Sequence, residues 1–242
     1  MSVSLESRRR EQDARVDLTH GISILERLGI IDFNGHFSVR LNDGDILINT
    51  GSSVRSAITP EDFVITERNG EFDDTLPPPP KELPLHVSIY RARPDVNAIV
   101  HGHPKWSTLL SSAGLEYRVT MAQGALLGDV PQYGSPRSVN NPKTADEVAG
   151  VLGDGRAALL KAHGSVIVAD DVMEATVMAI YLELNAERQV NAALIGEPYY
   201  FSPEEIAACQ KGLMQRGLLT KCWNFYLAKF GLAAATRSKQ GS

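Results

Sequence analysis

Apolar and polar positions alternate with a period that changes several times along the chain, and each change marks an element. Residues 14–28 place apolar side chains at helical spacing and stop at Gly29, a residue suited to ending a helix. Short apolar and β-branched runs at 37–41 and 45–49 predict two strands, joined by Asn42-Asp43-Gly44, where Asp-Gly favours a hairpin turn. Thr59-Pro60-Glu61-Asp62 starts a single helical turn ahead of a strand at 63–66, and Asn69-Gly70 predicts the turn after it. Four prolines at 77–80 hold the next segment extended, a stiff wall in front of Lys81 and Glu82 and a helix that starts after them. Residues 97–100 predict a buried strand, and 157–160 and 166–169 two more, with a break at Gly164.

Residues 171–193 form the strongest helix, apolar around so much of its girth that burial on more than one side is expected, another subunit among its neighbours. The stretch 203–231 reads as two further helices carrying Trp223, Phe225 and Tyr226, aromatics suited to packing or to closing a substrate pocket. Helices and strands thus alternate, the pattern of an α/β protein. With 242 residues, 43% of them hydrophobic, and no linker-like segment, the chain is expected to be a single domain over residues 1–242.

Composition narrows the function classes. A net charge of −5 with scattered basic residues gives no phosphate-tracking stripe, so nucleic acid is not an expected partner. No run is long and apolar enough for a membrane span, and the charged N-terminal stretch does not read as a secretory signal. Cys209 and Cys222 imply no disulfide framework and are expected to pack in the last helices, in keeping with a reducing cytoplasm.

The candidate chemistry lies in the histidines. On a strand alternate side chains point the same way, so His101 and His103 share a face, while Gly102 between them leaves room for backbone on the other. His163, in the turn between two predicted strands, is the natural third member of a metal site with an open position for substrate. A His-x-His pair alone is equally compatible with packed core residues. His20 and His86 read as helix residues turned toward the core, and Glu82 as either a reactive carboxylate or an acidic residue favouring a helix N-terminus.

The order Pro-rich loop, Glu82, IYRARPDVNAIVHGHP and then KAHGSVIVAD resembles the class II aldolase and adducin family, from about residue 16 to residue 196. The resemblance implies an α/β/α fold with a central, mostly antiparallel sheet. It implies a homo-oligomer, commonly a tetramer, with active sites near subunit interfaces, and one divalent ion per subunit, zinc or else manganese, iron or cobalt. It makes His101, His103 and His163 the metal ligands and Glu82 the acid/base residue, and it nominates Tyr133 in the glycine-rich segment 122–134 as a catalytic hydroxyl.

The chain also departs from part of that family. Where sugar-phosphate aldolases of the family carry Gly-Asn-x-Ser, it reads Gly35-His36-Phe37-Ser38, and where two serines precede the catalytic glutamate it has Pro80 and Lys81. Proline has no donor for a phosphate ester. Lys81, His36, Ser38, the loop Gly51-Ser52-Ser53 and Arg55 form the expected substrate-binding set, cationic and suited to carboxylates. These substitutions resemble the branch that decarboxylates hydroxylated benzene or pyridine dicarboxylates, with Lys81 sharing the proton delivery. An aldolase for an unphosphorylated keto acid or a sugar phosphate, a sugar-phosphate epimerase and a non-catalytic adducin-like scaffold are the alternatives.

Overall fold

The computed structural model describes residues 5–42 and 44–232. Among these, seven strands, β1 His36–Arg40, β2 Ile46–Asn49, β3 Phe63–Thr66, β4 Ala98–Gly102, β5 Gln132–Tyr133, β6 Ala157–Leu160 and β7 Gly164–Ala169, form one sheet in the order β3-β2-β1-β4-β7-β6-β5. Neighbours pair antiparallel except β5 with β6, so the mostly antiparallel sheet is borne out. The helices are α1 Leu5–Arg27, α2 Leu83–Ala92, α3 Lys105–Ser112, α4 Pro142–Leu152, α5 Val172–Ile195, α6 Pro203–Leu213 and α7 Arg216–Lys229.

The period-two alternation of the strands sorts them onto two helix layers. Phe37, Leu47, Val100, Leu159 and Ile167 face one side, where α1, α3, α5 and α7 bury Leu18, Leu110, Met178 and Leu227 against them. Ile48, Ile99, Ala158, Val166 and Val168 face the other, covered by Leu85 and Ile89 of α2 and Val148 and Leu152 of α4. The sheet is thus sandwiched between helices, as the resemblance implied. His36, Ser38 and His101 fall on the α2 side by the same alternation.

The predicted strands agree to within a residue or two, and the turn at Thr59 is a short 3-10 helix over Pro60–Asp62 closed by a capping box. Asp43 lies outside the described residues, so the hairpin turn read there does too. Helix α1 begins earlier than its apolar pattern, because its exposed first turns are supported by ion pairs at i,i+4, Arg10 with Glu6 and Arg15 with Glu11, rather than by burial. The girth of α5 is covered largely within this chain, by α1, α3, α7 and the sheet, so its apolarity does not by itself require another subunit. The two C-terminal helices form as expected, with Trp223 packed edge-on to His20 of α1 at 6.3 Å between ring centroids.

Two glycines set the spacing of the segments that carry the histidines. A Cβ at Gly102 would lie 2.2 Å from the Ile30 carbonyl oxygen, and one at Gly164 would lie 2.2 Å from the carbonyl oxygen of Gly102. Three stretches of backbone therefore stack where side chains would hold them apart.

Candidate metal centre

The end of β4 delivers two histidines to one point. His101 belongs to the strand and is fully buried, and His103 follows just beyond its last residue, with its ring centroid 4.9 Å from that of His101. His163 comes from the tight β6–β7 connection, next to Ala162, whose φ of 52° is the one left-handed value among described non-glycine residues. Its ring lies 5.2 Å from each of the other two and nearly parallel to that of His103.

Glu82 completes the cluster: one donor atom from each of the four residues lies within 4.8 Å of the others. Its carboxylate stands 3.4 Å from His101 Nε2 and 3.9 Å from His163 Nε2, while His101 Nε2 and His103 Nε2 are 3.2 Å apart. Burial lowers the pKa of His101 well below the usual imidazole value, with the neighbouring His36 acting in the same direction, and burial also lowers that of His163. Neutral imidazole lone pairs thus converge beside a carboxylate, a donor set that fits a divalent cation.

Residues that sequence reasoning missed hold this set in place. Asp32 Oδ1 lies 2.9 Å from His103 Nδ1 and also accepts from the amides of Asn34 and Gly35, so the loop before β1 fixes the ring from behind. Burial raises the Asp32 carboxyl, but the hydrogen bonds from His103 and the loop bring it below its ordinary value. An aspartate two residues before Asn-Gly reads locally as a turn former, and nothing local signals a partner 71 positions on.

Glu82 occupies the N-cap position of α2, yet its side chain makes no capping bond. Instead Oε1 accepts from Ser138 Oγ at 2.7 Å and from the amide of Val139 at 2.6 Å, and Oε2 lies 3.3 Å from His36 Nε2. Burial pushes the carboxyl up, but these hydrogen bonds and the imidazoles around it outweigh that and hold it well below the usual carboxylate range. The group is therefore ionised at rest and able to accept a proton.

His36 and His101 are Cα partners across the β1–β4 pair, which explains how His36 reaches Glu82. Its other nitrogen, Nδ1, lies 2.7 Å from Nε2 of His86, which is buried on the core-facing side of α2 as expected and is hydrogen-bonded there. Ser38 belongs to this buried group and not to a cleft wall, with its hydroxyl 2.6 Å from His86 Nδ1 and 2.9 Å from the Tyr90 hydroxyl.

A cleft of about 600 Å³ opens over the cluster, with Glu82, His103 and His163 at its base and Gly51, Ser52 and Lys81 among its walls. The proline wall is real: the amide of Gly51 donates to the Pro78 carbonyl at 2.8 Å, which ties the 51–53 loop to the proline run. Arg55 also borders the cleft, but Nε donates to the Gly35 carbonyl at 2.6 Å, and Nη1 reaches the Thr50 carbonyl at 3.2 Å and Ser53 Oγ at 2.5 Å. Nε and Nη1 of the guanidinium are thus engaged in shaping the loop, and Ser53 with them, so the full fork expected for a carboxylate is not free. Tyr133 stands apart on β5, where its exposed hydroxyl donates to Glu147 at 2.6 Å, so within one chain it does not join the cluster.

No helix among the described residues is long and apolar enough to cross a membrane. A curated relative from Arthrobacter keyseri, a 3,4-dihydroxyphthalate decarboxylase, is 31% identical over 186 residues, covering 70% of this chain and 75% of that protein. A 5-methylthioribulose-1-phosphate/5-deoxyribulose-1-phosphate aldolase of Rhodospirillum rubrum is 30% identical over 207 residues, 80% of this chain and 89% of the relative. Both names describe lyases. Among solved structures, L-fuculose 1-phosphate aldolase from Glaciozyma antarctica shares the fold, with a TM-score of 0.80 at 20% identity over 96% of this chain and 95% of that one. Residues 18–190 match the family described as Class II Aldolase and Adducin N-terminal domain, and the chain belongs to that family.

Proposed function

We propose that this protein is a metal-dependent carboxy-lyase that removes carbon dioxide from a hydroxylated aromatic dicarboxylate. The observation that carries the reading is the state of the hydrogen-bond donors around the cleft. Both nitrogens of His36 are engaged, by His86 and Glu82, so it offers no free donor in place of an asparagine amide. Pro80 has none, and the Gly51 amide and the Nε and Nη1 of Arg55 are bonded to backbone carbonyls. The Asn34 side-chain amide, Ser52, the exposed Lys81 and Arg55 Nη2 line the cleft and make none of these bonds. That set is led by two cationic side chains and has no hydroxyl at positions 80 and 81, which favours a flat ring bearing carboxylates.

His101, His103 and His163 would hold the cation, which when bound supplies electrostatic stabilisation of negative charge on a substrate oxygen. Glu82, ionised at rest, takes the proton of the substrate hydroxyl as the ring oxygen becomes an oxyanion. The carbon–carbon bond to the departing carboxylate breaks with its electron pair left on the ring, and Glu82 returns the proton to that carbon. Ser138 and the Val139 amide keep Oε1 fixed during both transfers. Lys81 at the mouth of the cleft meets the carboxylate that is retained, and the few charges lining the cleft suit a small-molecule substrate.

The aldolase reading shares the metal set and Glu82 and draws on relatives of nearly equal similarity. The deciding experiment is a substrate panel on metal-loaded protein, with hydroxylated phthalates and pyridine dicarboxylates beside sugar phosphates and keto acids, followed by carbon dioxide and aldehyde release. Carbon dioxide from the aromatics alone supports the carboxy-lyase, whereas aldehyde release with the aromatics inert overturns it.

A further inference from the structure

Behind Glu82 lies a line of buried polar side chains. Glu82, His86 and Tyr90 recur every four residues and form one stripe of α2, and His36 and Ser38 alternate onto the facing side of β1. His86 and Ser38 are wholly buried, and His36 and Tyr90 are nearly so. In such a place every donor needs an acceptor within the protein, so the direction of each hydrogen bond can be worked out from its neighbour.

The derivation starts from Glu82. A carboxylate only accepts, so the His36 nitrogen 3.3 Å from it, Nε2, carries the hydrogen. A buried neutral imidazole then has a bare Nδ1, which needs a donor, and His86 Nε2 at 2.7 Å supplies it. His86 Nδ1 is bare by the same rule and accepts the Ser38 hydroxyl at 2.6 Å. Ser38 in turn accepts from the Tyr90 hydroxyl at 2.9 Å. The line closes there: the other acceptor for Tyr90, the Asn97 carbonyl, is farther off at 3.4 Å. Run backwards, with Tyr90 donating to Asn97, the line would aim a lone pair of His36 at Glu82, an arrangement only a protonated Glu82 could meet.

We propose that Tyr90, Ser38 and His86 are positioning residues that form a one-directional hydrogen-bond chain, holding His36 as its Nε2–H tautomer with that N–H on Glu82. The inference rests on the reading of Glu82 as the group that carries the proton. The chain ends in a nearly buried phenol whose further neighbour is a backbone carbonyl, which cannot supply a proton, so it does not feed protons to the site. It selects which face of Glu82 stays bonded at rest, Oε2 to His36 and Oε1 to Ser138, and it keeps the His36 ring in the single orientation that permits this.

The test reads tautomers directly. Long-range proton–nitrogen correlation spectra of protein carrying 15N-histidine, with its six histidines assigned by single substitutions, should show both His36 and His86 protonated on Nε2 and bare on Nδ1. Ser38→Ala should turn His86 into a tautomer mixture and lower kcat about tenfold or more, with KM and bound metal unchanged. His86→Gln, whose amide still donates to His36, should keep more of kcat than His86→Leu. Nδ1–H tautomers in the unsubstituted protein overturn the proposal. So does an unchanged kcat in both Ser38→Ala and His86→Leu. The spectra need no substrate, so a protein inert toward every aromatic in the panel would sink the functional reading and leave the tautomers to decide the chain.

Discussion

His36 and His101 face each other at 4.9 Å across the β1–β4 pair, yet only His101 turns a nitrogen toward the other imidazoles of the cluster. His36 instead bridges His86 and Glu82. Two histidines in register on neighbouring strands therefore have different work. His101→Ala should lose bound metal, with affinity falling by more than the roughly 10–100-fold that loss of a supporting partner costs. His36→Ala should retain the metal and lose turnover. Metal analysis of both purified variants after dialysis separates the two roles, and loss of metal from the His36 variant would show that it belongs to the ligand set.

Asp32 supports His103 from outside the cluster. Asp32→Asn keeps the size of the side chain and removes the carboxylate that accepts from His103 Nδ1 and orients the ring. Metal affinity is expected to fall about 10–100-fold, read by chelator competition, with the fold intact by circular dichroism.

Glu82→Gln removes the proposed proton carrier while leaving an acceptor oxygen for Ser138 and Val139. Turnover should fall by roughly 10²–10⁴, the usual contribution of a positioned acid or base. Substrate affinity should change far less. A variant that loses KM and keeps kcat would assign Glu82 to binding.

Lys81 is the exposed cation at the cleft mouth. Lys81→Ala should raise KM about tenfold for a dicarboxylate, the ~1.4 kcal/mol of one charge-assisted contact. A monocarboxylate analogue should be affected less, and equal effects on both would remove Lys81 from recognition of the retained carboxylate.

Acid should destabilise the metal-free protein. Burial depresses the pKa values of His36, His86 and His101, so the unfolded chain binds protons that the folded one refuses. Stability is then highest above the unfolded imidazole value of about 6.5 and falls as pH drops below it, by up to about 1.4 kcal/mol per pH unit for each such group. Urea midpoints between pH 7.5 and pH 5.5 measure the slope. His86→Gln, with one refused proton fewer, should flatten it, and a slope unaltered by that change would count against burial of a neutral His86.

Much of the cluster was legible because it follows from strand alternation. His101, the room beside Gly102 and the placement of His163 in a tight turn all derive from short-range geometry, and the structure meets them. Asp32, Ser138 and His86 were not legible, since each works across the fold on a partner far away in sequence. Arg55 shows the converse limit: its side chain was read as free for substrate, whereas the carbonyls that engage it can only be seen once the loop has closed. Helices α3 and α4 went unread because serines, threonines and charges dilute short apolar faces, although Asn141-Pro142 carries a start signal in which the Asn141 side chain accepts from the Thr144 amide.

The stacking of Ile30, Gly102 and Gly164 has a consequence for how such a protein can change. Backbone contact fixes two of the strand ends that bear imidazoles, so their spacing does not depend on the size of any nearby side chain. A methyl group at either glycine should cost at least the roughly 1–3 kcal/mol of an overpacked core. Ser52 and Lys81, by contrast, sit exposed on loops where replacement disturbs no packing. Substrate preference can therefore drift through the rim, one loop residue at a time, while the imidazole-bearing frame beneath stays as it is.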